Sequence, residues 1–175
     1  CALPIFLLAL PVWGEPYHPM AERTAACTAC HGSQGKAGPD GYYPRLAGKP
    51  EGYLYNQLRN FQDGRRHYAL MQGLLAPLGP EYLRDMAVYF SGLEVPYPAP
   101  ARSDAAPAVL ARGRTLVQQG DRELGVPACV QCHGAALTGV NPNTPGLLGL
   151  PRDYLNAQLG GWQTGQRKEI GRAHV

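Results

Sequence analysis

The sequence predicts an all-α protein made of two small domains in tandem, and three observations lead to this prediction. A Cys-x-x-Cys-His-Gly motif that begins at Cys27 recurs at Cys129, an offset of 102 residues. After both motifs, apolar residues follow the i, i+4, i+7 spacing of a helix, and no stretch alternates with the period of two that is typical of a strand. The 22 Gly and 17 Pro residues indicate short elements joined by many turns.

The composition of the 175-residue chain excludes two classes of function. A net charge of +3 is too small for electrostatic binding of nucleic acid. The chain has no run of about 18 apolar residues, which excludes an internal transmembrane helix. Five cysteines remain to be explained, and four of them belong to the two motifs.

Both ends of the chain are expected to be foreign to the native gene. One short DNA element, read in opposite directions, encodes residues 1–5 and residues 170–175, and it matches a common short-read sequencing adapter. Residues 6–14 are apolar and end in small and turn-forming residues, as the tail of a secretory signal peptide does. We therefore expect native sequence only between about residues 6 and 169, with a signal-peptide remnant that indicates export to a bacterial periplasm.

Two helices are predicted after the motif of the first domain, which is expected over residues 15–93. The first helix begins after Pro50, and the second runs from Pro80 to Gly92. Each helix has apolar residues on one face. These residues are Leu54, Leu58 and Phe61 in the first helix and Leu83, Met86, Ala87 and Phe90 in the second.

A linker and a second, similar domain are expected to follow. Residues 94–107 are rich in Pro and Ala, which predicts a semi-extended linker. The second domain is expected over residues 108–169 and begins with a helix over residues 108–117. The residues of that helix available for burial are Val109, Leu110 and Leu116. A further helix after Pro151 repeats the apolar pattern of the first domain with Leu155, Leu159 and Trp162.

Each Cys-x-x-Cys-His motif is typical of covalent haem attachment. Two thiols at positions i and i+3 lie on one helical turn and can each form a thioether with a haem vinyl group, while the adjoining histidine can bind the iron. A porphyrin also supplies apolar core that a small, Gly-rich domain lacks. We predict two covalently attached haem c groups. Their site residues are Cys27, Cys30 and His31 in the first domain and Cys129, Cys132 and His133 in the second.

Three other interpretations of the cysteines are weaker. A single zinc ion could bind all four thiolates, but the two pairs of a zinc ribbon usually lie only about 15–20 residues apart. A thioredoxin-like redox pair would need a βαβ setting, which the sequence lacks. Two structural disulfides suit an exported protein, although a bond between residues i and i+3 closes too small a loop to stabilise a fold.

Met71 is the favoured sixth ligand of the first haem iron. It follows His31 by 40 residues and is expected in an irregular stretch between two helices, where a loop can approach the opposite face of the ring. Ligation by His and Met raises the reduction potential relative to two histidines and leaves no open position for a substrate. The other candidates are His67, Met86, Met20 and His18.

The surroundings of the two irons can also be predicted. The position that corresponds to Met71 in the second domain is Arg172, within the adapter-encoded end, so the distal methionine of the second haem is expected beyond the sequence. A ligating histidine donates its other ring N–H to a carbonyl. The candidate acceptors are the carbonyls of Pro44 and Pro145, with Pro39 as an alternative in the first domain. Arg45, Arg65 and Arg66 are either partners of haem propionates or a solvated face.

Taken together, these motifs resemble the cytochrome c4 family. The matching segments are residues 27–32, 44–48, 53–58, 64–66, Met71 and residues 85–90. The resemblance implies two tandem class I cytochrome c domains that face each other, each with a His/Met haem c. It also implies a periplasmic electron carrier, soluble or associated with the membrane surface, that serves a terminal oxidase.

The predicted function is electron transfer between respiratory redox partners rather than catalysis. The expected partners are a terminal oxidase or a quinol-oxidising complex, and nucleic acid is not among them. One alternative is a cytochrome subunit of a dehydrogenase or oxidase complex. The other is a dihaem peroxidase, in which one iron would keep an open position.

Overall fold

The computed structural model describes residues 19–38, 42–99 and 102–168. These residues form eight α-helices, one short 3-10 helix and one two-stranded hairpin, so the prediction of a mostly helical chain is confirmed. The predictions for residues 1–5, 6–14 and 170–175, and for His18 and Pro39, concern positions outside the described residues. None of the helices in the described ranges is long and apolar enough to cross a membrane.

The elements follow one another with short connections. The helices are α1 Pro19–Arg23, α2 Ala25–His31, α3 Glu51–Gln62, α4 Ala69–Leu75, α5 Pro80–Ser91, α6 Pro107–Gln118, α7 Cys129–His133 and α8 Arg152–Gln163, with the 3-10 turn Ser33–Gly35 after α2. Strand β1 Gly139–Val140 pairs antiparallel with β2 Thr144–Pro145. We call the described residues up to 93 the first module and those from 107 onwards the second module.

The long helices begin and end where proline and glycine predict. Pro50 precedes α3, and Pro80 occupies the first turn of α5, where its missing N–H would have no helical partner. Gly92 ends α5 as expected. Helix α6 begins one residue before the predicted start and ends one residue after the predicted end.

The first module has a packed apolar core between α3 and α5 and under α1 and α4. Leu83 and Ala87 of α5 are at most 1% exposed. Gly35 allows the 3-10 turn to approach this core, since a Cβ at its φ of 69° would lie 3.0 Å from the ring of Phe90. The core residues form two clusters: Met20, Phe61, Leu75, Leu83 and Met86 in one, and Leu54, Ala87 and Phe90 in the other.

The second module lacks a comparable core within the described residues. Helix α6 has no buried residue, and Val109 and Leu110 are 61% and 45% exposed, so the expectation that they are buried is wrong. Leu159 on α8 is 59% exposed, although its counterpart Leu58 packs on the core of the first module. The physical reason is that no helix of the part described packs on α6 and α8 as α5 packs on α3.

The segment between the modules is held by a buried arginine. Residues 94–99 and 102–106, within the predicted linker, form no helix or strand. Arg45 is 2% exposed and donates to the carbonyls of Val95 and Pro96, at 3.1 Å for Pro96. Its guanidinium also lies 4.3 Å from the centre of the Tyr97 ring. Arg45 therefore fixes the start of the linker against the first module.

Candidate haem sites

The first Cys-x-x-Cys-His motif forms a single helical unit. Cys27 and Cys30 are one turn apart on α2, both thiols are free, and His31 ends the helix. Burial raises the pKa of the Cys27 thiol, as expected for a side chain that faces an apolar pocket. Gly32 follows with a φ of 76°, and a Cβ there would lie 2.4 Å from the Ala37 carbonyl oxygen. Only glycine allows the chain to turn away immediately after the histidine.

The imidazole of His31 is oriented by a prolyl carbonyl. The ring is 7% exposed, and its Nδ1 lies 2.8 Å from the carbonyl oxygen of Pro44. A carbonyl can only accept, so Nδ1 carries the proton and Nε2 is the unprotonated ring nitrogen, the one that can bind a metal. The predicted acceptor is thus confirmed. The Pro44 segment is itself fixed, because the N–H groups of Leu46 and Ala47 donate to the Gly35 carbonyl at 2.8 and 3.0 Å.

The second motif repeats this geometry on a shorter helix. Cys129 and Cys132 lie one turn apart on α7, and both thiols are free. The Nδ1 atom of His133 lies 2.6 Å from the carbonyl oxygen of Pro145, which confirms the second predicted acceptor. Gly134 follows with a φ of 83°. Here too the imidazole keeps Nε2 for a metal.

Met71 lies in a helix, so the expected irregular stretch is wrong. Helix α4 has only seven residues, too few to show a recognisable apolar period in the sequence. Met71 is half-buried against the core cluster of the first module. Two tyrosine rings link α4 to His31, since Tyr68 before α4 is hydrogen-bonded to Tyr43, whose ring centre lies 6.0 Å from that of His31.

The other candidate ligands have different environments. Met20 and Met86 are 7% and 3% exposed within the apolar cluster, where methionine fills space in the core. His67 lies where the modules meet, and its backbone N–H donates to the Gln166 carbonyl at 3.1 Å. Met20 and Met86 are thus buried and His67 is exposed, whereas Met71 is half-buried on the core cluster that Cys27 also contacts.

The donor set fits haem better than zinc. Two free thiols and one imidazole whose Nδ1 lies on a prolyl carbonyl occur together in each module, as covalent attachment and axial ligation require. Within the described ranges, no three His, Cys, Asp or Glu side chains converge as a metal site would require. Neither pair of thiols forms a disulfide.

A polar network that the sequence analysis did not predict joins the two modules. Arg66 is 8% exposed and donates to Gln57 Oε1 of its own module at 2.6 Å. It also donates across the contact to Tyr154 Oη at 2.9 Å and to Gln158 Oε1 at 2.7 Å. Arg66 therefore belongs to a buried interface rather than to a solvated face.

Arg167 makes the equivalent contacts in the opposite direction. It donates to Gln158 Oε1 of its own module at 2.8 Å and to Gln57 Oε1 across the contact at 3.2 Å. Arg167 is also hydrogen-bonded to Tyr53. Burial raises the pKa of the Tyr53 phenol to about 12, and the positive charges of Arg66 and Arg167 only partly oppose this rise. The backbones of the two modules are also hydrogen-bonded beside these side chains, since the Lys168 N–H donates to the Arg65 carbonyl at 2.9 Å.

A signal for this network was present in the sequence. Gln57 and Arg66 recur as Gln158 and Arg167, at a constant offset of 101 residues. Polar residues that repeat between two copies, one of them within the apolar stripe of a helix, indicate a contact between the copies. Arg45 and Lys49 gave no such signal, because the corresponding positions are Gly146 and Leu150.

Comparison with known proteins agrees with this geometry. The family model described as cytochrome c matches residues 22–87. A thiosulfate dehydrogenase electron acceptor from Thiomonas intermedia is 40% identical over 168 residues, which cover 94% of this chain and 76% of that protein.

Two solved structures are similar to the chain. Reduced cytochrome c4 from Pseudomonas stutzeri matches with a TM-score of 0.74 and 33% identity, over 86% of this chain and 82% of that one. The thiosulfate dehydrogenase TsdBA from Marichromatium purpuratum matches with a TM-score of 0.72 and 36% identity, over 81% of this chain but 30% of that one.

Proposed function

Because the chain belongs to the cytochrome c4 family, we propose that it binds two haem c groups and accepts electrons from a thiosulfate dehydrogenase in the bacterial periplasm. It is an electron-transfer protein and not an enzyme. One observation carries the proposal. The same proximal geometry, a histidine Nδ1 on a prolyl carbonyl beside two free thiols, occurs twice in this chain.

The proposed roles of the residues follow from their atoms. When bound, haem supplies an iron that takes up and releases one electron between its ferric and ferrous states. The thiols of both motifs would hold the porphyrin covalently, and His31 and His133 would ligate through Nε2 because Nδ1 is already engaged. We assign Met71 as the distal ligand of the first haem, since it is half-buried on the same core cluster that Cys27 contacts.

The proposed organisation is an internal repeat of two haem domains, residues 15–93 and 108–169, with a linker over 94–107. The recurring motif, prolyl acceptor and Gln–Arg pair support the repeat. The apolar residues 6–14 support export by a signal peptide and hence a periplasmic location. A terminal oxidase or quinol-oxidising complex remains the proposed second partner, on the family resemblance alone.

A second candidate function is that of a permanent dehydrogenase subunit. In the Marichromatium purpuratum thiosulfate dehydrogenase, the part that matches this chain is 30% of a longer polypeptide. Such a covalent arrangement favours a partner that stays bound rather than one that diffuses away. Co-elution of the two purified proteins in gel filtration would support the subunit, and separate elution would support the mobile carrier.

The decisive experiment counts haem groups and measures reduction. We expect the mass and the pyridine haemochrome spectrum of the holoprotein to give two haem groups. The paired variants C27A/C30A and C129A/C132A should each retain one. Rapid mixing with a thiosulfate dehydrogenase and thiosulfate should then reduce both haems, while the mixture without thiosulfate stays oxidised. A single haem, or reduction that does not depend on the dehydrogenase, would overturn the proposal.

Met71 is tested separately. The variant M71H should lower the potential of the first haem, because a second imidazole stabilises ferric iron relative to a thioether. The matched variant M86L changes a buried core methionine and should leave that potential unchanged. Equal potentials in both variants would show that another residue is the distal ligand.

A further inference from the structure

Lys49 of the first module reaches into the second module. Its side chain is 2% exposed, and its ammonium donates to the backbone carbonyl of Gly146. None of the ion pairs among the described residues includes Lys49. Burial, and secondarily the nearby charge of Arg45, lowers the pKa of Lys49 to about 8. Burying an ammonium without a carboxylate partner costs free energy, so the position of Lys49 needs a structural or functional reason.

The contacted carbonyl lies in the segment that orients the second proximal histidine. Gly146 directly follows Pro145, whose carbonyl accepts from His133 Nδ1 at 2.6 Å. The next two N–H groups, of Leu147 and Leu148, donate to the Leu137 carbonyl at 2.8 and 2.9 Å. The segment is therefore fixed on one side from within its own module and on the other side by Lys49.

The corresponding segment of the first module is supported in a different way. Leu46 and Ala47 donate to Gly35, as Leu147 and Leu148 donate to Leu137. The residue equivalent to Gly146, however, is Arg45, whose own side chain binds the Ala47 carbonyl at 2.9 Å and the linker. The acceptor of His31 is thus held without the second module, whereas that of His133 is held by the β1–β2 pairing of its own module and, in addition, by a cation from the neighbour.

We propose that Lys49 is a positioning residue for the second haem, through which the first module sets the orientation of His133 and the potential of that iron. The inference rests on the proposed second haem at Cys129 and Cys132. A positive charge in a water-poor interface favours the state with one more electron, so the ammonium stabilises ferrous over ferric iron. The hydrogen bond to Gly146 keeps the Pro145 carbonyl in place for His133.

Three variants of the full-length holoprotein separate charge from hydrogen bonding. K49M removes both the ammonium and the donor, and K49Q removes the charge but keeps an N–H donor. K36Q removes the same charge from an exposed position of the first module and serves as the matched control. Each protein is labelled with 15N-histidine, and the ferrous Nδ1–H signals are assigned by their contacts with Pro44 and Pro145.

The intensity of each histidine signal at graded redox poise reports the potential of its own haem. We expect K49M to shift the His133 signal and to lower the reduction potential of the second haem. The His31 signal and the potential of the first haem should change no more in K49M than they do in the control K36Q. K49Q should restore the His133 signal but keep the lowered potential. Two haems with an unchanged His133 signal and potential in both variants, or a shift confined to His31, would overturn the inference alone. A single haem per chain would overturn the proposed function and the inference together.

Discussion

The two modules form the same Cys-x-x-Cys-His turn on very different amounts of core. In the first, eight buried apolar residues in two clusters support the Cys-x-x-Cys-His turn. In the second, the buried apolar residues of the described part are Ala128 and Tyr154. Even so, the histidine-to-proline contacts differ by only 0.2 Å, at 2.8 and 2.6 Å.

The hydrogen bond between the histidine and the proline is therefore made within one segment of the chain in both modules, and Lys49 adds support to that segment in the second module. The histidine, the glycine after it and the proline 12 or 13 residues later lie within one short segment, which needs no distant helix to close. Burial of α6 and α8 is not local, because it requires a further helix on their exposed apolar faces. A haem bound to the second module would cover part of the same apolar surface.

The largest expected effect tests whether the first module has a larger apolar core than the second. Leu83 is fully buried, so L83A should lower the free energy of unfolding by about 3–5 kcal/mol through lost burial and a cavity. The matched variant L159A alters a side chain that is 59% exposed and should cost less than about 0.5 kcal/mol. Denaturant unfolding followed by circular dichroism measures both. A comparable loss in L159A would mean that the second module has a core of its own.

The next effect concerns the cation that links the modules. The pKa of Lys49 is about 8 in the folded protein and 10.5 as its ordinary value, so between these values the unfolded chain binds more protons. Stability should therefore rise with pH across this window, by up to about 3 kcal/mol relative to K49M. Unfolding free energies measured below, within and above the window test this. Parallel pH profiles of the wild type and K49M would contradict it.

A smaller effect is expected at the polar contact between the modules. R66A removes one donor each from Gln57, Gln158 and Tyr154. Arg167 still donates to the two glutamines, so the loss should cost about 2 kcal/mol. R65A is the matched control, because Arg65 forms an exposed ion pair with Asp63 at 2.7 Å, worth less than about 1 kcal/mol. Hydrogen exchange at the Lys168 amide, which pairs with the Arg65 backbone, should accelerate in R66A only. Equal exchange in the two variants would remove Arg66 from the interface.

Much of the fold and site could be predicted because the signals are short in range. Pro50, Pro80 and Pro151 give the starts of three helices within one residue, and the motif gives the two attachment turns. The prolyl acceptors could be predicted because a ligating imidazole needs a carbonyl acceptor for its other N–H. A proline follows the histidine at a similar sequence separation, 13 or 12 residues, in both copies.

The remaining features depend on contacts between residues far apart in the chain. Arg66 and Gln158 are separated by 92 residues and Lys49 and Gly146 by 97, and neither pair has a local pattern. Helix α4 was missed because seven residues are too few for a period. The exposure of Val109 and Leu110 could not be read from their apolar character, since burial depends on what packs against them.

The reciprocal Gln–Arg contacts have a consequence for assembly. Each arginine binds its own glutamine and that of the neighbour, so at this contact the two modules pair as two copies do in an isologous interface. Joining both halves in one polypeptide replaces a bimolecular association with an intramolecular one at high effective concentration. The chain therefore behaves as a tethered dimer, whose pairing is independent of how dilute the protein becomes.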